Sequence, residues 1–152
     1  MNEINLKNLL KKCDITTAMK IIECLPKDAH IIAGYLWDIG ISEHNITAYF
    51  CAAKIAEMAT ENEVKATFHH VASVVLTNGL VYVDGSYDLG FFHEMRAIEL
   101  SPRNVQYLSY LLSVYSDCPD FEMDKRVEAE MVQVLLALEP QNEVALRVSK
   151  RL

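Results

Sequence analysis

Apolar residues recur at three- and four-residue intervals along most of this chain, the spacing that lines one face of an α-helix. In residues 15–25 they are Ala18, Ile21, Ile22 and Leu25, with Asp14 placed to cap the segment and Pro26 to end it. Asp28 is placed to cap a helix reaching about Ile39, and Ser42 to cap one over 43–59. The stripe Ala48, Ala52, Ile55 and Ala59 on that second helix is rich in small residues, so a neighbouring helix can approach closely. The same pattern predicts helices at about 63–77, 87–100, 103–116, 122–138 and 142–151. No stretch alternates polar and apolar as a half-buried strand does, so the expected fold class is all-α, with about seven to nine helices.

The helix ends repeat. Four segments align: Lys20-Ile21-Ile22-Glu23-Cys24-Leu25-Pro26-Lys27-Asp28, Lys54 to Asn62, Arg96 to Asn104, and Val134 to Asn142. Three of them carry a basic residue three positions before Glu, and three carry Pro in one column (Pro26, Pro102, Pro140). All four carry Asp or Asn two positions beyond that column. Each column has a physical role: the basic residue complements the helix C-terminus, Pro stops the helix, and Asp or Asn caps the next one. The columns are spaced by 34, 42 and 38 residues.

A unit of this length, closing on a helix stop before a capped helix, resembles the tetratricopeptide repeat, and the longer spacings resemble its Sel1-like relative. The resemblance covers essentially the whole chain, residues 1–152, as a single domain. It implies a partial unit at about 14–28, full units at 29–62, 63–104 and 105–142, and a terminal helix at 143–152. Each unit would be an antiparallel helix pair, helix A then helix B, stacked in a right-handed superhelix. By that register the helix-A core positions are Ile32, Tyr35, Leu36 and Ile39 in the first unit and Leu108, Leu111, Leu112 and Tyr115 in the third. The middle unit departs: its helix A offers Ala66, His69, His70 and Ser73, and its helix B offers Gly90, Glu94 and Ala97.

Composition narrows function. Fourteen Lys and Arg face 21 Asp and Glu, a net charge of -7 with no third of the chain basic in balance, which disfavours nucleic acid and anionic membrane. A basic protein is the better-matched partner. The N-terminal twelve residues carry no uninterrupted apolar run of the secretory type, and no apolar run approaches 18 residues, so a cytoplasmic location is expected. Cys13, Cys24, Cys51 and Cys118 form no C-x-x-C pair, which suits reduced and mostly buried thiols.

Chemistry-bearing motifs are scarce. His69-His70 and His93-Glu94 form the one histidine cluster, but neither H-E-x-x-H nor a one-turn ligand spacing is present, and adjacent histidines diverge by about 100° on a helix. They read as surface or core-edge histidines that hydrogen-bond, and no metal is expected. Asp84-Gly85-Ser86-Tyr87-Asp88 begins like a calcium loop but places Leu89 where Gly is needed and Met95 where the bidentate Glu belongs. A polar connection closed by an Asp cap fits it better. There is no nucleophile elbow, Walker loop or dinucleotide fingerprint, so neither an enzyme nor a cofactor is expected.

Binding features stand out instead. The repeat register turns Gln106, Ser109, Ser113, Ser116 and Asp117 of the third unit, and Trp37 of the first, toward a concave groove; Trp37 is also placed to serve as ordinary core. Asp117, Asp120, Glu122 and Asp124 cluster at one connection, either as a solvated loop with Asp120 capping the next helix or as a patch for a basic partner. The expected function is therefore a non-catalytic protein-binding module whose candidate contacts are Trp37, Gln106, Ser109, Ser113, Asp117, Asp120, Glu122 and Asp124. Resemblance to small acidic bacterial proteins offers two sharper roles: an immunity protein neutralising a basic toxin, often a nuclease, and a secretion chaperone cradling an export substrate.

Overall fold

The computed structural model describes residues 29–152 together with Asn8, Lys12, Ile15, Thr16, Met19 and Lys20. Cys13 and the segment assigned to the partial unit at 14–28, with Asp14, Cys24, Pro26 and Asp28, lie outside the described residues apart from Ile15, Thr16, Met19 and Lys20. Among the described residues the chain is helical and contains no strand. From Ala29 onward seven α-helices follow one another: α1 (Ala29–Ser42), α2 (Ile46–Met58), α3 (Asn62–Val74), α4 (Ser86–Leu100), α5 (Val105–Tyr115), α6 (Lys125–Leu138) and α7 (Glu143–Ser149). Helix α3 continues without a break into a π-helical turn, Val75–Gly79.

The repeated helix stops have a repeated backbone geometry. Ala59, Ser101 and Glu139 each donate their N–H to the carbonyl four residues back, on Ile55, Ala97 and Leu135. Asn104 and Asn142 then donate to the carbonyls of Ser101 and Glu139 at 3.1 and 3.0 Å, and their side chains accept the first free N–H groups of α5 and α7. The second column differs: Glu61 takes the cap position of α3 without a side-chain bond, and Asn62 is the first helical residue. The basic column differs as well. Lys54 pairs with Glu57 at 2.8 Å and Arg96 pairs with Glu99, because a side chain one turn away is nearer than the helix-end carbonyls.

Three predicted caps move. Helix α1 runs on to Ser42, and Asn45 caps α2 by accepting from the Thr47 N–H at 2.9 Å. Asp124, not Asp120, caps α6, accepting from the Arg126 N–H at 2.7 Å. Gly85, in the left-handed region at φ 78°, precedes α4 where an Asp cap was expected; that backbone conformation suits a residue without Cβ.

Each helix packs on its successor, α1 also meets α3, and α5 also meets α7. Two apolar clusters result. One joins α1, α2 and α3, including Leu36, Ile39, Ala48, Ala52 and Phe68, with Ile15 and Met19 against it. The other joins α4 to α7 and Ala66, around Leu108, Leu111, Leu112 and Leu135. All the named helix-A core positions of the first and third units are buried except Tyr35, which is half-buried. The middle spacing exceeds the first by eight residues, and that extra chain is the π turn and the connection to Gly85. The extension crosses α1 where both backbones lack side chains: a Cβ on Gly79 would lie 2.3 Å from the Gly40 carbonyl oxygen.

Candidate functional site

The seam between α3 and α4 is polar. Adjacent histidines on α3 point to different partners, and each meets one of the adjacent pair on α4. His70 Nδ1 lies 2.9 and 3.0 Å from the two carboxyl oxygens of Glu94, which is wholly buried. Burial raises the proton affinity of that carboxyl, while hydrogen bonds from His70 and Ser73 pull the other way. His69 Nδ1 lies 2.9 Å from His93 Nδ1, so one ring supplies the hydrogen and the other the lone pair. Burial draws His93 down to about 4 and lowers His69 as well, which keeps both rings neutral at pH 7. These histidines hydrogen-bond as expected, but His70 and His93 are only 5% exposed, so they belong to the interior and not to its edge.

Hydrogen bonding continues from α3 to α5. Asn78 Nδ2 donates to the Tyr110 hydroxyl at 2.8 Å, which lies 2.7 Å from Thr77 Oγ1, and Thr77 donates to the Ser73 carbonyl at 2.9 Å. The chain runs one way, each group giving its hydrogen to the next. Burial pushes the Tyr110 phenol up to about 12, which keeps that hydrogen in place. Gly90 admits this arrangement: a Cβ there would stand 2.7 Å from the Tyr115 hydroxyl and 2.8 Å from Thr77.

A cavity of about 260 Å³ lies beside this network, among α1, α3 and the start of α5. Trp37, His70 and Tyr107 form its aromatic walls, and Thr67, Asn104 and Gln106 add polar groups. The Trp37 and His70 ring centres are 5.8 Å apart, and His70 and Tyr107 are 4.7 Å apart. No Lys, Arg, Asp or Glu lines it. His70 Nε2, buried, has no hydrogen-bond partner.

The predicted contacts separate into three places. Trp37 and Gln106 line this cavity together, and Trp37 is half-buried while also packing on the first apolar cluster. Ser109, Ser113 and Asp117 are engaged within the chain. Ser109 Oγ accepts from Asn142 at 3.1 Å, Ser113 donates to the Tyr110 carbonyl at 3.0 Å, and Asp117 pairs with Arg151 and, at 3.6 Å, with Arg147. Helix α7 therefore covers part of the expected polar row. Ser116 is half-buried and its hydroxyl has no partner. Asp120, Glu122 and Asp124 are exposed. Asp120 reaches a second cavity, about 230 Å³, lined also by Asp84, Gly85, Ser86, Tyr87 and Asp88. In sequence the Asp84 to Asp88 stretch reads as a failed calcium loop or, better, a polar connection closed by an Asp cap, and nothing in the linear pattern joins it to Asp120. Nor does that pattern single out Tyr107 and Thr67, which carry no motif.

Cys51 and Cys118 are free thiols; Cys51 is buried and Cys118 half-buried, and burial lifts the Cys51 thiol to about 12. Among the described residues no helix is long and apolar enough to cross a membrane, and no group of three metal-ligating side chains is assembled. Comparison of this chain with protein-family models, with curated proteins and with solved structures gives no match.

Proposed function

We propose that this chain is a non-catalytic protein-binding module. In this reading it is a tetratricopeptide-like stack of antiparallel helix pairs, wound in a right-handed superhelix, that takes a basic partner protein. Support for the stacking comes from the shared helix-stop geometry at Ala59, Ser101 and Glu139. The observation that carries the partner's charge is the cleft lined by Asp84, by Asp88 in the first turn of α4 and by Asp120 of the connection between α5 and α6. Three carboxylates around one opening set up a negative potential that a Lys or Arg side chain neutralises. Glu122 and Asp124, exposed on the same connection as Asp120, extend it.

The test is capture from a lysate of the source organism, followed by binding kinetics with the captured protein across a range of salt concentrations. The triple reversal Asp84→Lys, Asp88→Lys, Asp120→Lys is expected to slow association by about ten-fold or more at low salt and to flatten its salt dependence. Equal rates for the two proteins refute the charge reading. A folded toxin held at about -12 kcal/mol or tighter identifies an immunity role. A partner held only while unfolded identifies a chaperone.

A further inference from the structure

Helices α4 and α6 both pack on α5, and a groove of about 270 Å³ runs between them. Met95 of α4, Leu108 of α5 and Met131 and Val134 of α6 line it, and its charged groups are the carboxylates Glu99 and Glu130, one from each wall. No Lys, Arg or His lines it. Leu108 is fully buried at the floor, whereas Met95 and Val134 are half-buried, so apolar surface is left in water that a partner's apolar side chain would cover. The two methionines can adjust to the shape of such a side chain. Arg96 already pairs with Glu99, but among the described residues Glu130 has no ionic partner.

This groove is continuous with the acidic cleft. Asp88, Phe92, Met95 and Glu99 follow one another at steps of four, three and four residues, which places them on one stripe of α4. Asp88 lines the cleft at the start of the helix, and Met95 and Glu99 line the groove toward its end. Phe92, between them, is 53% exposed. A segment laid along the stripe meets carboxylates, then apolar surface, then the carboxylate of Glu130.

Charge and size select the occupant. A second copy of this chain, at -7, would bring more negative charge to both ends of the stripe. The groove is also smaller than the roughly 300 Å³ at which sites for drug-sized ligands begin. A chain segment that is basic at its ends and apolar between matches both the carboxylates and the groove. We infer that the groove takes an apolar side chain of the basic partner, from the same segment whose Lys or Arg enters the Asp84, Asp88 and Asp120 cleft, with a second basic residue reaching Glu130. Asp88 and Ile98, which also lines the groove, are separated by about 15 Å along α4. Four residues of extended chain span about 13 Å and return the side chain to the same face, so the basic and apolar residues are expected four apart. The inference rests on the protein-binding reading and adds to it a second contact and a spacing.

The experiment titrates the full chain, labelled with ¹³C at its methionine methyl groups, with the blocked peptide acetyl-Lys-Ser-Thr-Ser-Leu-Ser-Lys-amide. Met95 and Met131 should shift saturably, while Met58 and Met123, which do not line the groove, stay in place. Affinity should fall about ten-fold or more when the peptide's Leu is replaced by Ser, and likewise in Val134→Lys, with folding checked by thermal melting. Equal binding of the two peptides overturns the inference, as does the absence of any shift up to the solubility limit. So does a Met95 and Met131 shift that grows with protein concentration alone, which would mark the groove as a contact between copies. If Val134→Lys keeps full affinity for the captured partner while the Asp84, Asp88, Asp120 reversal lowers it, this assignment falls and the protein-binding reading stands.

Discussion

Removing His70 from Glu94 tests whether the polar residues of the α3–α4 seam compensate one another. In His70→Phe the ring volume is kept but the wholly buried carboxyl loses its nearest donor. An unpaired charge there is too costly, so the acid takes up a proton. Keeping neutral at pH 7 an acid that ordinarily titrates near 4.5 costs about 3 kcal/mol at 1.4 kcal/mol per pH unit. The sign follows from linkage: a folded-state carboxyl raised above its ordinary value stabilises most at low pH and loses that contribution as pH rises. Burial already raises Glu94 in the parent protein, so the His70→Phe penalty should be at most about 3 kcal/mol at pH 7 and should shrink toward pH 4.5. Glu94→Leu should also destabilise, by leaving Nδ1 without an acceptor. The double variant should recover most of the loss, since an apolar pair of similar volume is well tolerated where a broken ion pair is not. Urea unfolding of the four proteins at pH 7 and pH 5 measures the cycle. Additive losses within about 0.5 kcal/mol, or a His70→Phe penalty independent of pH, would show that the two side chains do not act as a pair.

Four further outcomes are expected. His93, drawn from its ordinary 6.5 to about 4, contributes stability that is complete above pH 6.5 and lost as pH falls toward 4. This amounts to about 3 kcal/mol, with His69 acting in the same direction, and an unchanged urea midpoint between pH 7 and 4.5 would contradict it. Gly79→Ala should destabilise by several kcal/mol, because its Cβ would meet backbone at the Gly40 oxygen and neither strand of chain can yield; calorimetry checks this. Leu111→Ala, at a position with no exposure, should cost about 2–5 kcal/mol, and Trp37→Ala, half-buried, should cost less; the reverse order in urea unfolding would make Trp37 a core residue. Cys51 should resist maleimide until the protein unfolds, since its thiol is enclosed and lifted to about 12; mass spectrometry of labelled peptides reads this directly.

The linear pattern alone determined that this chain is helical, roughly where each helix lies, and which residues of the first and third units are interior. Those facts follow from local physics: a 3.6-residue period marks the buried face, and Asn or Pro at an end satisfies or terminates a backbone ladder within one turn. Caps placed by residue type alone were less secure. Asn45 prevailed over Ser42, and Asp124 over Asp120, because the cap falls where the chain turns into the packed helix, which tertiary contacts set. The polar row on α5 also looked open in the sequence, but α7 folds back onto Ser109 and Asp117. The middle unit was the least legible part. His70 and Glu94 are 24 residues apart, and each looks misplaced until α3 and α4 are laid together. The same holds for Trp37 with Tyr107 and for Asp88 with Asp120, which share cavities only through packing of separate elements. A buried polar group is tolerated only when its partner is supplied, and that partner comes from another helix whose position no local rule specifies.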